Sequence, residues 1–135
     1  MQRTAGKSSS KKMKKYLILL PTLILTSCYD VQRECKDFKN GRFLSEIEID
    51  GVRHETVTIR TDTMVIETYK GQTDTSSIRW VNDCEYVLRK HNPKTMAEKR
   101  AVTVKILTTS DKTYTFEFGS VGNDKKQKGH ARRLN

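Results

Sequence analysis

A zinc site needs cysteine or histidine ligands at close spacing, and a hydrolase needs an activated nucleophile. In this 135-residue chain His54, His91 and His130 stand far apart. They form no His-x-His or His-x3-His pair, and the cysteines form no Cys-x2-Cys pair. A metal centre is therefore not expected. Ser76-Ser77 lacks the Gly-x-Ser-x-Gly frame of a nucleophile elbow, and no glycine-rich phosphate loop occurs. Glu46, Glu48, Glu55, Glu67 and Glu85 lie beside apolar neighbours in alternating stretches, which assigns them to the solvent face of strands. A catalytic pair would require the fold to bring two of them together. No catalytic residue and no cofactor is assigned, and an enzyme of unrecognised type is the weakest of the functional readings.

Two stretches have binding chemistry. Trp80-Val81-Asn82-Asp83-Cys84-Glu85-Tyr86 is the most distinctive internal run. Trp80 and Tyr86, with Tyr114, Phe116 and Phe118 further on, could line a pocket for a small apolar ligand. The plainer reading makes them core aromatics. Lys125, Lys126, Lys128, Arg132 and Arg133 concentrate charge near the C-terminus. They could grip anionic lipid headgroups, wall polymers or an acidic envelope protein, at about 1 kcal/mol per charge near a membrane surface. The plainer reading is a solvated tail.

At the other end, Lys11, Lys12, Lys14 and Lys15 precede an apolar run from Tyr16 to Leu25. The run is too short for a bilayer core, which needs ~20 helical residues. Basic residues followed by a short apolar stretch mark a secretory signal peptide. Met13 is a plausible true start, which would make the first twelve residues an upstream extension. Leu25-Thr26-Ser27-Cys28 resembles the bacterial lipobox. That resemblance implies diacylation of the Cys28 thiol, cleavage before it, and further acylation of the new amino group. Several acyl chains anchor stably where one does not. Tyr29 rather than Asp follows Cys28; by the sorting rules of such proteins the expected site is the outer membrane of the cell envelope.

The lipobox reading reshapes the rest. Residues 1–27 become signal peptide and extension, 28–40 a lipidated tether, and 41–135 one β domain with a basic tail. Six of the 26 Lys and Arg precede Cys28 and none of the 16 acids does, so the formal charge falls from +10 to +4. Nucleic acid is then not an expected partner. With Cys28 acylated, Cys35 and Cys84 remain in a compartment where disulfides persist. A bridge between them would close a loop of about 50 residues and contribute roughly 2–4 kcal/mol. Two free buried thiols are the alternative.

The elements that must position these residues are short strands. Arg42–Ile49 alternates Phe43, Ile47 and Ile49 with polar residues, and Asp50-Gly51 signals a two-residue hairpin turn. Val52–Arg60 carries Val57 and Ile59 on one face; Thr63–Tyr69 carries Met64 and Ile66. Thr75–Lys90 alternates throughout, but as one strand it would span about 50 Å, against the usual ~17–20 Å. It must break at Asn82-Asp83. Asn92 and Pro93 suit the start of a short helix over 93–100. Ala101–Thr108 and Thr113–Gly119 alternate again, and a last strand fits near Gly129–Leu134. The expectation is an all-β antiparallel meander of seven or eight short strands, as a small barrel or sandwich with one short helix.

The lipobox, the Gly41-Arg42-Phe43 strand start and the run from Trp80 to Leu88 together resemble small bacterial lipoproteins of uncharacterised family with a lipocalin-like β domain. Some of these are labelled DNA topoisomerase IV. This chain supports no such role: it is too short for either subunit and shows no ATP-binding glycine motif. The resemblance implies fold and anchorage: a non-enzymatic binding or envelope-associated module, with a carrier of a small apolar ligand as the alternative.

Overall fold

Residues 32–135, together with the isolated Gly6, are described by a computed structural model. The signal-like segment, the lipobox and Cys28 lie outside the described residues. Eight strands follow in order: β1 (Gly41–Ile49), β2 (Val52–Arg60), β3 (Met64–Tyr69), β4 (Gln72–Asn82), β5 (Glu85–Lys90), β6 (Val102–Thr109), β7 (Thr113–Ser120) and β8 (Gln127–Leu134). Each pairs antiparallel with the next, and β8 returns to β1, so the sheet closes into a barrel with no free edge.

Local chemistry sets the hairpins. Asp50 and Gly51 both have positive φ (51° and 74°), as do Lys70 and Gly71 (47° and 77°). These are the two-residue turns whose twist matches that of the flanking strands. They fix register, pairing Ile49 with Val52 and Tyr69 with Gln72. The long alternating stretch does break after Asn82, whose side-chain Oδ1 accepts from the Cys84 backbone N–H at 2.9 Å. A register shift between Trp80 and Asn82 accompanies the bend.

Three expectations are corrected. Residues 93–100 form no regular helix; they make one capped turn. Thr95 Oγ1 accepts from the Glu98 N–H at 3.1 Å, and Glu98 reaches back to the Lys94 N–H at 2.6 Å. Thr95 thus takes the capping role expected of Asn92, and the turn ends within six residues at Arg100. Second, the end of the expected tether is built into the barrel. Cys35–Phe38 forms a 3-10 turn with Cys35 and Phe38 buried, because the disulfide and one large ring give it something to pack with. Third, the last strand expected near Gly129–Leu134 forms but starts two residues earlier, at Gln127, so the basic stretch from there on is not a solvated tail. It is β8, with Ala131 fully buried against β1 and β7.

The core fills the lower end, where Phe38 closes the barrel against Phe43, Ile106 and Tyr114. Phe38 and Tyr114 rings lie 5.1 Å apart, Phe43 and Tyr114 5.6 Å apart. Cys35 and Cys84 are disulfide-bonded and fasten this plug to the β4–β5 turn.

Candidate functional site

Above the plug the barrel is hollow. A cavity of about 320 Å³ lies among strands β1 to β7 and is roofed by Ala97, Glu98 and Arg100 of the β5–β6 connection. Its size falls at the small end of known ligand sites. The two sides of its lining differ. Leu88, Val102, Val104, Phe116 and Phe118 make an apolar wall on β5–β7. Thr56, Thr58, Arg60, Glu67 and Ser76 make a polar wall on β2–β4.

The polar wall overturns part of the expected strand polarity. Glu67 lines the cavity rather than facing solvent. Val57 and Ile59 point outward, with Ile59 43 % exposed, while Thr58 and Arg60 are buried at 4 % and 3 %. On β3 Val65 is buried and Met64 is exposed. Glu46, by contrast, is on the outside as expected, bonded there to Arg53 and to His130.

Arg60 stands at the floor. Its guanidinium donates to the Phe38 carbonyl at 2.6 Å, the Tyr86 hydroxyl at 3.0 Å and the Tyr114 hydroxyl at 2.8 Å. It also sits 4.9 Å over the rings of Phe43 and Tyr86, an attraction that strengthens when water is excluded. No carboxylate among the described residues pairs with it, and its Nε–H finds no acceptor among them. Burial works against the charge, but the phenol oxygens of Tyr86 and Tyr114 and the carboxylate of Glu67 outweigh it, so the guanidinium is held charged more firmly than a free one. Burial also pushes the Tyr86 phenol far above its usual range, leaving it neutral. The Glu67 carboxyl is raised chiefly by burial; Arg60 and Lys90 pull it partly back.

The mouth is held by ion pairs. Lys90, on β5, reaches Glu98 at 2.9 Å and Asp74 at 3.3 Å. The backbone N–H of Lys94 and the Lys90 ammonium hold the Glu98 carboxyl below the usual range. One residue of the roof turn is thereby tied to the barrel rim.

Of the five aromatic candidates, Tyr86, Phe116 and Phe118 line the cavity. Trp80 and Tyr114 do not. Trp80 packs 4.7 Å from Tyr86 with Lys39 over its outer face, and Tyr114 belongs to the plug. The basic candidates are dispersed. Lys126 bonds Thr103, Lys128 and Arg132 alternate with the buried Ala131, and Arg133 donates to the carbonyls of Asp37 and Asn40. Cys28 lies outside the described residues. Among those described, no group of three or more His, Cys, Asp or Glu side chains converges.

Arg60 and Glu67 were not among the expected site residues, yet the hairpin turns contain the signal. A two-residue turn at Asp50-Gly51 pairs Phe43 with Thr58. If Phe43 points inward, so do Thr58 and Arg60. Comparison with protein-family models, with curated proteins and with solved structures finds no match to this chain.

Proposed function

We propose that this is an exported, lipid-anchored binding module of the cell envelope that holds a small, largely apolar ligand inside its barrel. The observation that carries the ligand reading is the hollow upper half, walled on one side by Leu88, Val102, Val104, Phe116 and Phe118 and roofed by a tied turn. A barrel built for stability alone would fill that space, since a buried void forfeits packing at every surrounding side chain. The anchoring reading rests on the basic residues, the short apolar run and Leu25-Thr26-Ser27-Cys28. Binding is favoured over catalysis because the ionisable groups at the mouth, Lys90, Asp74 and Glu98, are engaged with one another.

The test uses the chain from Cys28→Ser onward behind a signal peptide that is cleaved without lipidation, so that it is exported, released and purified without detergent. Native mass spectrometry should show a small-molecule adduct that is lost on unfolding, or stoichiometric uptake of N-phenyl-1-naphthylamine by the emptied protein. Neither adduct nor uptake would overturn the ligand reading. The anchor is tested separately: globomycin should block maturation of the unaltered chain, and normal maturation would end that part of the proposal.

A further inference from the structure

Among the described residues, the positive charge at the floor of the cavity has no matching carboxylate. Arg60 is 3 % exposed and, among the described residues, bonds only neutral oxygens: one carbonyl and two phenols. A buried cation is costly unless an anion or several acceptors compensate it. Here several acceptors hold the charge, but all of them are neutral oxygens, and the Nε–H is unpartnered among the described residues. The Tyr86 hydroxyl accepts from Arg60, so its own proton is available to a further acceptor. Both residues line the hollow.

We propose that the cavity takes a monoanionic amphiphile of the medium-chain carboxylate class, head-down. Its carboxylate lies at Arg60 and Tyr86, and its alkyl chain runs along Leu88, Val104 and Phe116 toward the mouth. This rests on the reading above that the hollow holds a small ligand, and adds the charge and the direction of that ligand.

Direction follows from where charge is worth most. Lys90 at the rim is already paired with Asp74 and Glu98. Arg100 in the roof is exposed to water, where an ion pair contributes little. Arg60 lies out of water, where the same pairing is stronger. Between floor and mouth the β5–β7 side offers only apolar contacts. An alkyl chain fits that side, and an anionic head there would be left unsolvated. Glu67 is the competing carboxylate on the polar wall. It attracts Arg60 without forming an ion pair, and its own ionisation is hindered by burial. It therefore opposes an incoming anion without replacing it.

The same unlipidated chain from Cys28→Ser onward is titrated calorimetrically at pH 8 with carboxylates of eight to fourteen carbons and with the matching primary alcohols. The acids should bind on the order of tenfold tighter than the alcohols, the increment expected of a charge-assisted over a neutral hydrogen bond. Arg60→Met should bring that ratio close to one, and Glu67→Gln should tighten the acid and leave the alcohol unaffected. Arg60 also bonds the plug, so Arg60→Met could fail to fold. The wild-type ratio and the Glu67→Gln response then decide alone. Equal binding of acid and alcohol overturns the anionic head while leaving an apolar carrier standing. Acid preference that survives in folded Arg60→Met overturns the head-down direction. Binding of neither series overturns this proposal and the hollow-carrier reading together.

Discussion

At the lower end of the barrel Phe38, Phe43 and Tyr114 pack in tilted and edge-on ring contacts, Ile106 is fully buried, and a disulfide ties the plug to the β4–β5 turn. At the upper end the same strands carry Leu88, Val102 and Phe118, each only half-buried, around a cavity of about 320 Å³. Both ends had aromatic and β-branched residues to pack. What differs is an extra segment. Cys35–Phe38 inserts below, whereas the connection above contributes only a capped turn over the opening. Stability is concentrated at one end and open space at the other, and substitutions should separate the two.

Phe38→Ala should have the largest effect. Phe38 is 1 % exposed and touches the rings of both Phe43 and Tyr114. Truncating such a ring typically costs about 3–5 kcal/mol, read as a lowered urea midpoint. If the plug were merely draped over the barrel, the loss would be below about 1 kcal/mol. Next comes Cys35→Ser with Cys84→Ser. Removing the bridge, which spans 49 residues of sequence, should cost about 2–4 kcal/mol by chemical denaturation. It should leave ligand uptake at the mouth intact once the protein is folded. Phe118→Ala, at the upper end, should cost about 1 kcal/mol or less, because the side chain already borders empty space. It should weaken binding of an apolar probe more than Phe38→Ala does. The reverse order of these two effects on binding would erase the division of labour.

Much of the lower end and of the β5–β7 wall is legible in the residues. Tyr86 and Leu88, Val104 and Ile106, and Tyr114 and Phe116 alternate cleanly, and their apolar face is the inner one. Both turn signals form. The β2–β3 wall is not legible by hydropathy, because it is built in reverse. Val57, Ile59, Met64 and Ile66 face outward, and Thr58, Arg60 and Glu67 face the hollow. Apolar alternation cannot reveal a wall whose inward face is the polar one. Register can: the two-residue turns pair Phe43 with Thr58 and Val65 with Ser76. The plug is only partly legible. The Cys35–Cys84 bridge follows from the cysteine count, but Cys-Lys-Asp-Phe has no periodicity to show that Phe38 turns into the barrel end. The expected helix over 93–100 failed because its one turn is capped at Thr95 and then ends, leaving too few residues to propagate.

The smallest expected effect tests the polar wall itself. Burial raises the Glu67 carboxyl above its usual range, and Asp74 adds to the rise, while Arg60 and Lys90 offset it in part. A carboxyl raised in the folded state contributes its full stability below the unfolded pKa of about 4.3. That contribution is lost as pH rises through the higher folded value, because the unfolded chain then ionises more readily. Glu67→Gln should therefore match the wild type near pH 4 and exceed it in urea midpoint at pH 7, by less than the truncations above change it. The difference curve between the two proteins isolates this one group from the other carboxylates. A variant less stable than the wild type at pH 7 would mean that attraction to Arg60 outweighs burial. Glu67 would then be the counter-ion of the floor, and the polar wall would be a structural pair instead of an unfilled half of a binding site.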